Sequence, residues 1–172
     1  MRIHLICPVR GVTDEQQKEI DDYAAALEAE GHKVHNPKYA VDQDDATGYN
    51  ICKGHMDSME TANRVDIFWD VNSKGSHFDL GMAFAMNKAI KLVKTYTPDN
   101  EGKSYVKVML EMQKVTDKYD IILKTSENLI EKIREEKLNQ VKAQNFEKAC
   151  EWRTKEKDLL DMMAAAQLHF NI

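Results

Sequence analysis

The chain opens with an apolar run, Ile3-His4-Leu5-Ile6-Cys7, that ends in the turn-forming stretch Pro8-Val9-Arg10-Gly11. A short run closed by Pro and Gly reads as a buried strand, here Arg2 to Cys7. Thr13, followed by Asp14, Glu15 and Gln16, has the character of a helix start. Ile20, Tyr23, Ala24 and Leu27 then recur at helical spacing until Gly31 stops the helix. His32 to His35 predicts a second strand closed by Asn36-Pro37, and Lys38 to Gly48 predicts a polar loop. Met56, Met59, Ala62 and Val65 put a helix over Tyr49 to Arg64. Val65 to Val71 reads as a third buried strand. A loop with Asn72, Ser73, Gly75 and Ser76 follows, then an almost wholly apolar helix from Phe78 to Met86, then a fourth strand over Ala89 to Val93. Strand, glycine-bearing loop, helix, strand is a βαβ unit, whose sheet is parallel and covered on both faces. The first 95 or so residues therefore predict an α/β fold built on a doubly wound parallel sheet of the flavodoxin/Rossmann type.

Beyond the polar break at Thr95 to Lys103 the pattern changes. Ser104 to Thr116 predicts a helix with Val106, Met109, Leu110 and Met112 or Gln113 inward, and Tyr119 to Leu123 reads either as the start of the next helix or, the favoured reading, as a short edge strand. From Ser126 onward charged residues dominate and neither Pro nor Gly occurs. Leu129, Ile133, Leu138 and Val141 share one helical face, Gln144-Asn145 interrupts it, and Phe146, Ala149, Trp152, Leu159 and Met163 mark another helix. The expected division is an α/β domain over residues 1–123 and a C-terminal α-helical hairpin over residues 124–172. A hairpin of roughly 40 residues buries too little to stand alone, so it must pack on the domain, on a copy of itself or on a partner.

Composition narrows the partners. A net charge of −5 over 172 residues argues against a general nucleic-acid binder, which carries a basic face. Cys7, Cys52 and Cys150 are odd in number and show no CxxC spacing, which suggests a reducing compartment and no structural zinc. The N-terminal apolar run is too short for a signal peptide, and no segment approaches the ~20 apolar residues of a membrane span. A cytoplasmic location without a membrane partner is the expectation.

The candidate chemistry gathers at the predicted strand ends. Ligands of open α/β sheets bind beyond the carboxyl ends of the strands, where Cys7, Pro8, Arg10 and Gly11 follow the first strand and Trp69 and Asp70 end the third. Asp79 lies between Phe78 and Leu80 in what reads as the first turn of the apolar helix. It is either a reactive carboxylate or an acid that stabilises a helix N-terminus. Arg10 can hold a phosphate, and the backbone N–H groups near Ser73, Gly75, Ser76 and His77 can hold an anion or sugar hydroxyls. Trp69 either stacks on a base or fills the core. His4 lies within the first strand, as a crevice or a structural histidine. His32, His35, His55 and His77 lack metal-ligand spacing, so neither a metal site nor a cofactor is expected. Ser73 and Ser76 have no GxSxG elbow around them.

Two resemblances follow from these residues. Asp66 to Val71, Gly75-Ser76-His77-Phe78-Asp79-Leu80-Gly81-Met82-Ala83 and Lys88-Ala89-Ile90, together with the Pro8-Val9-Arg10-Gly11 turn, resemble the nucleoside 2-deoxyribosyltransferase superfamily, including its deoxynucleoside-monophosphate N-glycosidase branch. That family carries a glutamate nucleophile where Asp79 stands, a tyrosine where His4 stands, and an aspartate at the position of Ser58, beside Asp57. The resemblance implies a nucleoside or nucleotide ligand and a carboxylate nucleophile, Asp79. His4 would orient it, Asp57 or Asp70 would assist the leaving base, and the site would be shared within a homo-oligomer. The runner-up is a non-catalytic nucleotide sensor. Ile133 to Met162, with Glu136-Lys137, Phe146-Glu147-Lys148-Ala149 and Trp152-Arg153, resembles the UVR motif, a protein-docking hairpin. It implies a protein partner for residues 126–165.

Overall fold

A computed structural model describes residues 1–97 and 102–170, with only the backbone at Tyr119 and residues 166–170. Part of the expected break at Thr95 to Lys103 lies outside the described residues, as do the last two residues of the hairpin. Four strands, β1 (Arg2–Ile6), β2 (Lys33–His35), β3 (Arg64–Trp69) and β4 (Ile90–Thr95), form one parallel sheet in the order β2-β1-β3-β4. This is the start of the flavodoxin-like order, which reverses direction between β1 and β3. The fold is α/β and doubly wound, and its helices are α1 (Asp14–Ala29), α2 (Pro37–Ala40), α3 (Tyr49–Thr61), α4 (Lys74–Ala85), α5 (Tyr105–Lys142) and α6 (Phe146–Phe170).

Strand alternation sorts the sheet into two cores. Ile3, Leu5, Cys7 and Phe68 meet Ile20, Ala24 and Leu27 of α1 on one face. Ile6, Val65, Ile67 and Trp69 meet Met59 of α3, Leu80 and Ala83 of α4 and Met109 of α5 on the other. Successive side chains of a strand point to opposite faces, so His4 shares the second face with Ile6. α1 is capped as its sequence implies. Thr13 accepts from the Gln16 backbone and the Gln16 side chain returns to the Thr13 backbone, a capping box. Gly31, at φ +86°, leaves the helix through the left-handed region that glycine enters at least cost.

Several expectations need correcting. Pro37 opens the one-turn helix α2, because Asn36 accepts from the Lys38 backbone as N-cap and Pro is favoured in a first turn. The Tyr119–Leu123 edge strand does not form. α5 runs unbroken from Tyr105 to Lys142, and Ile121 and Ile122 are exposed on it, so an apolar run there did not signal burial. The apolar helix α4 leaves Phe78 and Phe84 exposed. Within the acidic loop Asp45 accepts from Thr47 and from the Asn50 backbone at 2.7 Å, organising the start of α3, whose N-cap Gly48 has no side chain to offer.

The chain divides into two compact units, Met1–Lys114 and Val115–Phe170, so the change of unit falls inside α5. In the second unit, Ala143, Gln144 and Asn145 separate the two long helices, and Gln144 takes φ +58°. Ile130, Ile133 and Ala149 are buried, and Glu156 accepts from Arg134 at 2.6 Å and from Lys137. No helix among the described residues is long and apolar enough to cross a membrane.

Candidate active site

The register of α4 changes the meaning of Asp79. The helix begins at Lys74, with Ser73 as N-cap, and no acid lies in its first turn. Asp79 is thus well into the second turn, beyond the reach of the free N–H groups that an acidic cap would satisfy. Helix periodicity turns it inward with Ser76, Leu80 and Ala83, and it is only 5% exposed. A buried carboxylate needs a partner. The one that meets it is His55 of α3, whose Nδ1 lies 3.0 Å from Asp79 Oδ2. This residue is what sequence reasoning missed.

Two more imidazoles complete the surroundings. His4 and His35 are register partners across β1 and β2. Parallel neighbours sit about 4.8 Å apart on one face, and the two rings stack with centroids 4.7 Å apart. His55 meets both edge-on, at 5.7 Å from His4 and 5.9 Å from His35. His4 Nδ1 is held by Ser58 Oγ at 3.0 Å. The Nε2 atoms of His4, His35 and His55 are buried and have no hydrogen-bond partner among the described residues. Burial, then the neighbouring imidazoles, pushes His4 down to about 2, and burial with His55 lowers His35 to about 4. Both rings are neutral at pH 7. Cys7, at the end of β1, is pushed up to about 12, first by burial and then by the charge of Asp79, so it is a thiol and not a thiolate.

The structure separates the expected site residues into those it gathers and those it does not. His4 belongs to the Asp79 cluster, its ring edge-on to His55 and its Nδ1 bonded to Ser58 rather than to the carboxylate. Asp57 does not belong to it. It lies on the exposed side of α3, paired with Lys53 at 3.3 Å, while its neighbour Ser58 turns inward to His4. Trp69 is 2% exposed and packs against His77 and Tyr105, so it fills the core and is no platform for a base. Asp70 turns back on the loop, accepting from the backbone and side chain of Asn72. Ser73 and Ser76 satisfy each other through a 2.8 Å hydroxyl bond, and His77 Nδ1 bonds the Ser73 carbonyl oxygen. Gly75 and Arg10 are exposed, Cys7 and Pro8 are buried, and Gly11 takes φ +75° in the turn.

Other matching positions are structural. Asp66, fully buried, accepts both a bidentate pair from Arg64 and the Tyr23 hydroxyl at 2.7 Å. Lys88, 4% exposed, donates to the carbonyls of Glu60 and Ala62 at the end of α3.

No protein-family model and no curated protein sequence matches the chain. Among solved structures it is similar to the CMP N-glycosidase of Clostridium botulinum, with 20% identity over 65% of this chain and 82% of that one, at a TM-score of 0.47. It is also similar to the 2-deoxyribosyltransferase of the psychrotolerant bacterium Bacillus psychrosaccharolyticus, with 17% identity over 63% of this chain and 90% of that one, at a TM-score of 0.48.

Proposed function

We propose that this protein cleaves or exchanges the N-glycosidic bond of a (deoxy)nucleoside or its monophosphate, with Asp79 as the nucleophile. The observation that carries the reading is the buried pair of Asp79 on α4 and His55 on α3, on the sheet face that those two helices cover. His55 engages Oδ2, and the other oxygen, Oδ1, is the atom to attack C1′ of the sugar. The C1′–N bond breaks, its electron pair leaves with the base, and the base nitrogen takes up a proton. Water or a second base then attacks C1′ and returns the carboxylate, the double displacement of a retaining glycosidase. Arg10 and the first N–H groups of α4 are suited to a 5′-phosphate.

A panel of deoxynucleosides and their 5′-monophosphates, with and without acceptor bases, tests this by chromatography for free or exchanged base. Release that disappears in Asp79→Asn supports it; release unchanged by that substitution refutes the nucleophile.

The runner-up, a nucleotide-binding module without turnover, is favoured by the near-complete burial of Asp79. Its signature is a ligand that raises the melting temperature and is recovered intact. Two surfaces support association in either case. Phe78 and Phe84 are exposed along α4, which suits a second copy of the chain, and Leu138, Val141 and Phe146 are exposed on the hairpin, which suits a protein partner.

A further inference from the structure

The Asp79 cluster holds more donor atoms than glycosidic cleavage uses. His4, His55 and Asp79 each present one ligand atom, and these atoms lie within 4.8 Å of one another. All three residues are buried, and they arrive from β1, α3 and α4. A buried polar atom without a partner costs about 1–3 kcal/mol. Three such nitrogens lie in this one cluster, on His4, His35 and His55. We propose that His4, His55 and Asp79 form a binding site for a divalent first-row transition metal ion of the zinc type, with the fourth position left to water or a ligand oxygen.

The donor set chooses the ion. Two imidazoles and one carboxylate suit Zn²⁺, Co²⁺ or Fe²⁺, whereas Ca²⁺ and Mg²⁺ take oxygen ligands. Tetrahedral Zn²⁺ with bonds of about 2.0–2.1 Å places its ligand atoms about 3.3 Å apart. The His55–Asp79 spacing of 3.0 Å is already near that edge. Even the widest separation in the group, 4.8 Å at most, needs a contraction of only about 1.5 Å. Outer contacts of the kind that orient metal-binding imidazoles are present. Ser58 holds His4 by Nδ1, leaving Nε2 as its free donor, and His35 stacks on the same ring.

The site stands on this geometry alone, but one consequence rests on the glycosidic reading. An ion that binds Asp79 occupies the proposed nucleophile, so the metal-loaded protein should be inactive and a chelator should restore it.

The test is titration of the full chain, stripped with EDTA and dialysed. Zn²⁺ is followed by calorimetry and Co²⁺ by its visible bands, with the melting temperature read alongside. One ion per chain is expected, with tetrahedral Co²⁺ absorption and a raised melting temperature. Asp79→Asn and His55→Gln should each weaken binding at least ~100-fold, while His32→Gln and His77→Gln leave it unchanged. Asp79→Asn preserves side-chain volume, so the result does not hang on whether His55→Gln folds. Absence of binding by the wild-type chain, or equal affinity in Asp79→Asn, overturns the site and leaves the imidazoles as core packing. Base release that needs Asp79 in a chain that binds no metal would sink the site and keep the activity. Stoichiometric binding without Asp79-dependent release would do the reverse.

Discussion

Among the described residues two aspartates are buried, one against each face of the sheet, and they are satisfied to different degrees. Asp66, on the α1 face, receives the fork of Arg64 on both oxygens and the Tyr23 hydroxyl besides. Asp79, on the opposite face, meets one imidazole nitrogen, and around it stand three nitrogens without hydrogen-bond partners among the described residues. A carboxylate whose lone pairs are filled by fixed donors is part of the frame. One left with capacity, beside buried imidazoles, can accept something else, whether a sugar carbon or a metal ion. The resemblance treats both positions as family landmarks; their partners fix Asp66 in the architecture and leave Asp79 as the proposed reactive carboxylate.

Removing each carboxylate in turn should separate the two roles. The largest effect is expected on turnover in Asp79→Asn, a loss on the order of 10³-fold or more in base release, because an amide does not form the glycosyl ester. Its melting temperature should stay close to that of the parent. Asp66→Ala should do the opposite and cost about 3–5 kcal/mol in urea unfolding, since it removes the buried acceptor shared by the Arg64 fork and the Tyr23 hydroxyl. Any folded Asp66→Ala protein should retain its rate per folded molecule. Equal loss of stability in both variants would erase the distinction.

Lys88 extends the comparison to a cation. It completes α3 by donating to two of its last carbonyls, and burial pulls its pKa down. Lys88→Met keeps the stem and removes the donors, and should cost about 1.5–3 kcal/mol without changing which substrates are cleaved. Loss of activity beyond the loss of folded protein would mean that Lys88 also serves the site.

The frame was legible because its signals are local. Capping at Thr13, the alternation of β1 and β3 and the glycine stop at Gly31 each involve residues close together in sequence. The βαβ unit placed Asp79 near a strand end. The partner of Asp79 was not legible. His55 is 24 residues away on another helix, and metal-spacing rules look along one element, whereas the four cluster residues come from β1, β2, α3 and α4. The cross-strand partnership of His4 with His35 depends on register, which the predicted strands did not specify. Asp57 and Ser58 show how fine the distinction is. One residue of helical phase, about 100°, separates an exposed ion pair from a contact in the cluster.

The last expected effect, comparable in size to that at Lys88, concerns protons. In the folded protein His4 titrates only at about 2 and His35 at about 4, whereas the unfolded chain protonates a histidine near 6.5. Below pH 6.5 the unfolded state therefore binds protons that the folded state refuses, and unfolding is favoured. Stability from these two groups is fully present above pH 6.5 and is lost as pH falls toward their folded values. For the fully buried His4 the slope is about 1.4 kcal/mol per pH unit. Urea midpoints in EDTA at pH 7.5, 6 and 5 should fall in that order, in a window above the ordinary titration range of the carboxylates. His4→Phe should remove one proton's worth of that slope, whatever it does to stability at pH 7.5. A wild-type midpoint that stays level to pH 5 would mean that water or a cation reaches the imidazoles, and the contrast between a filled Asp66 and a receptive Asp79 would lose its neutral histidines.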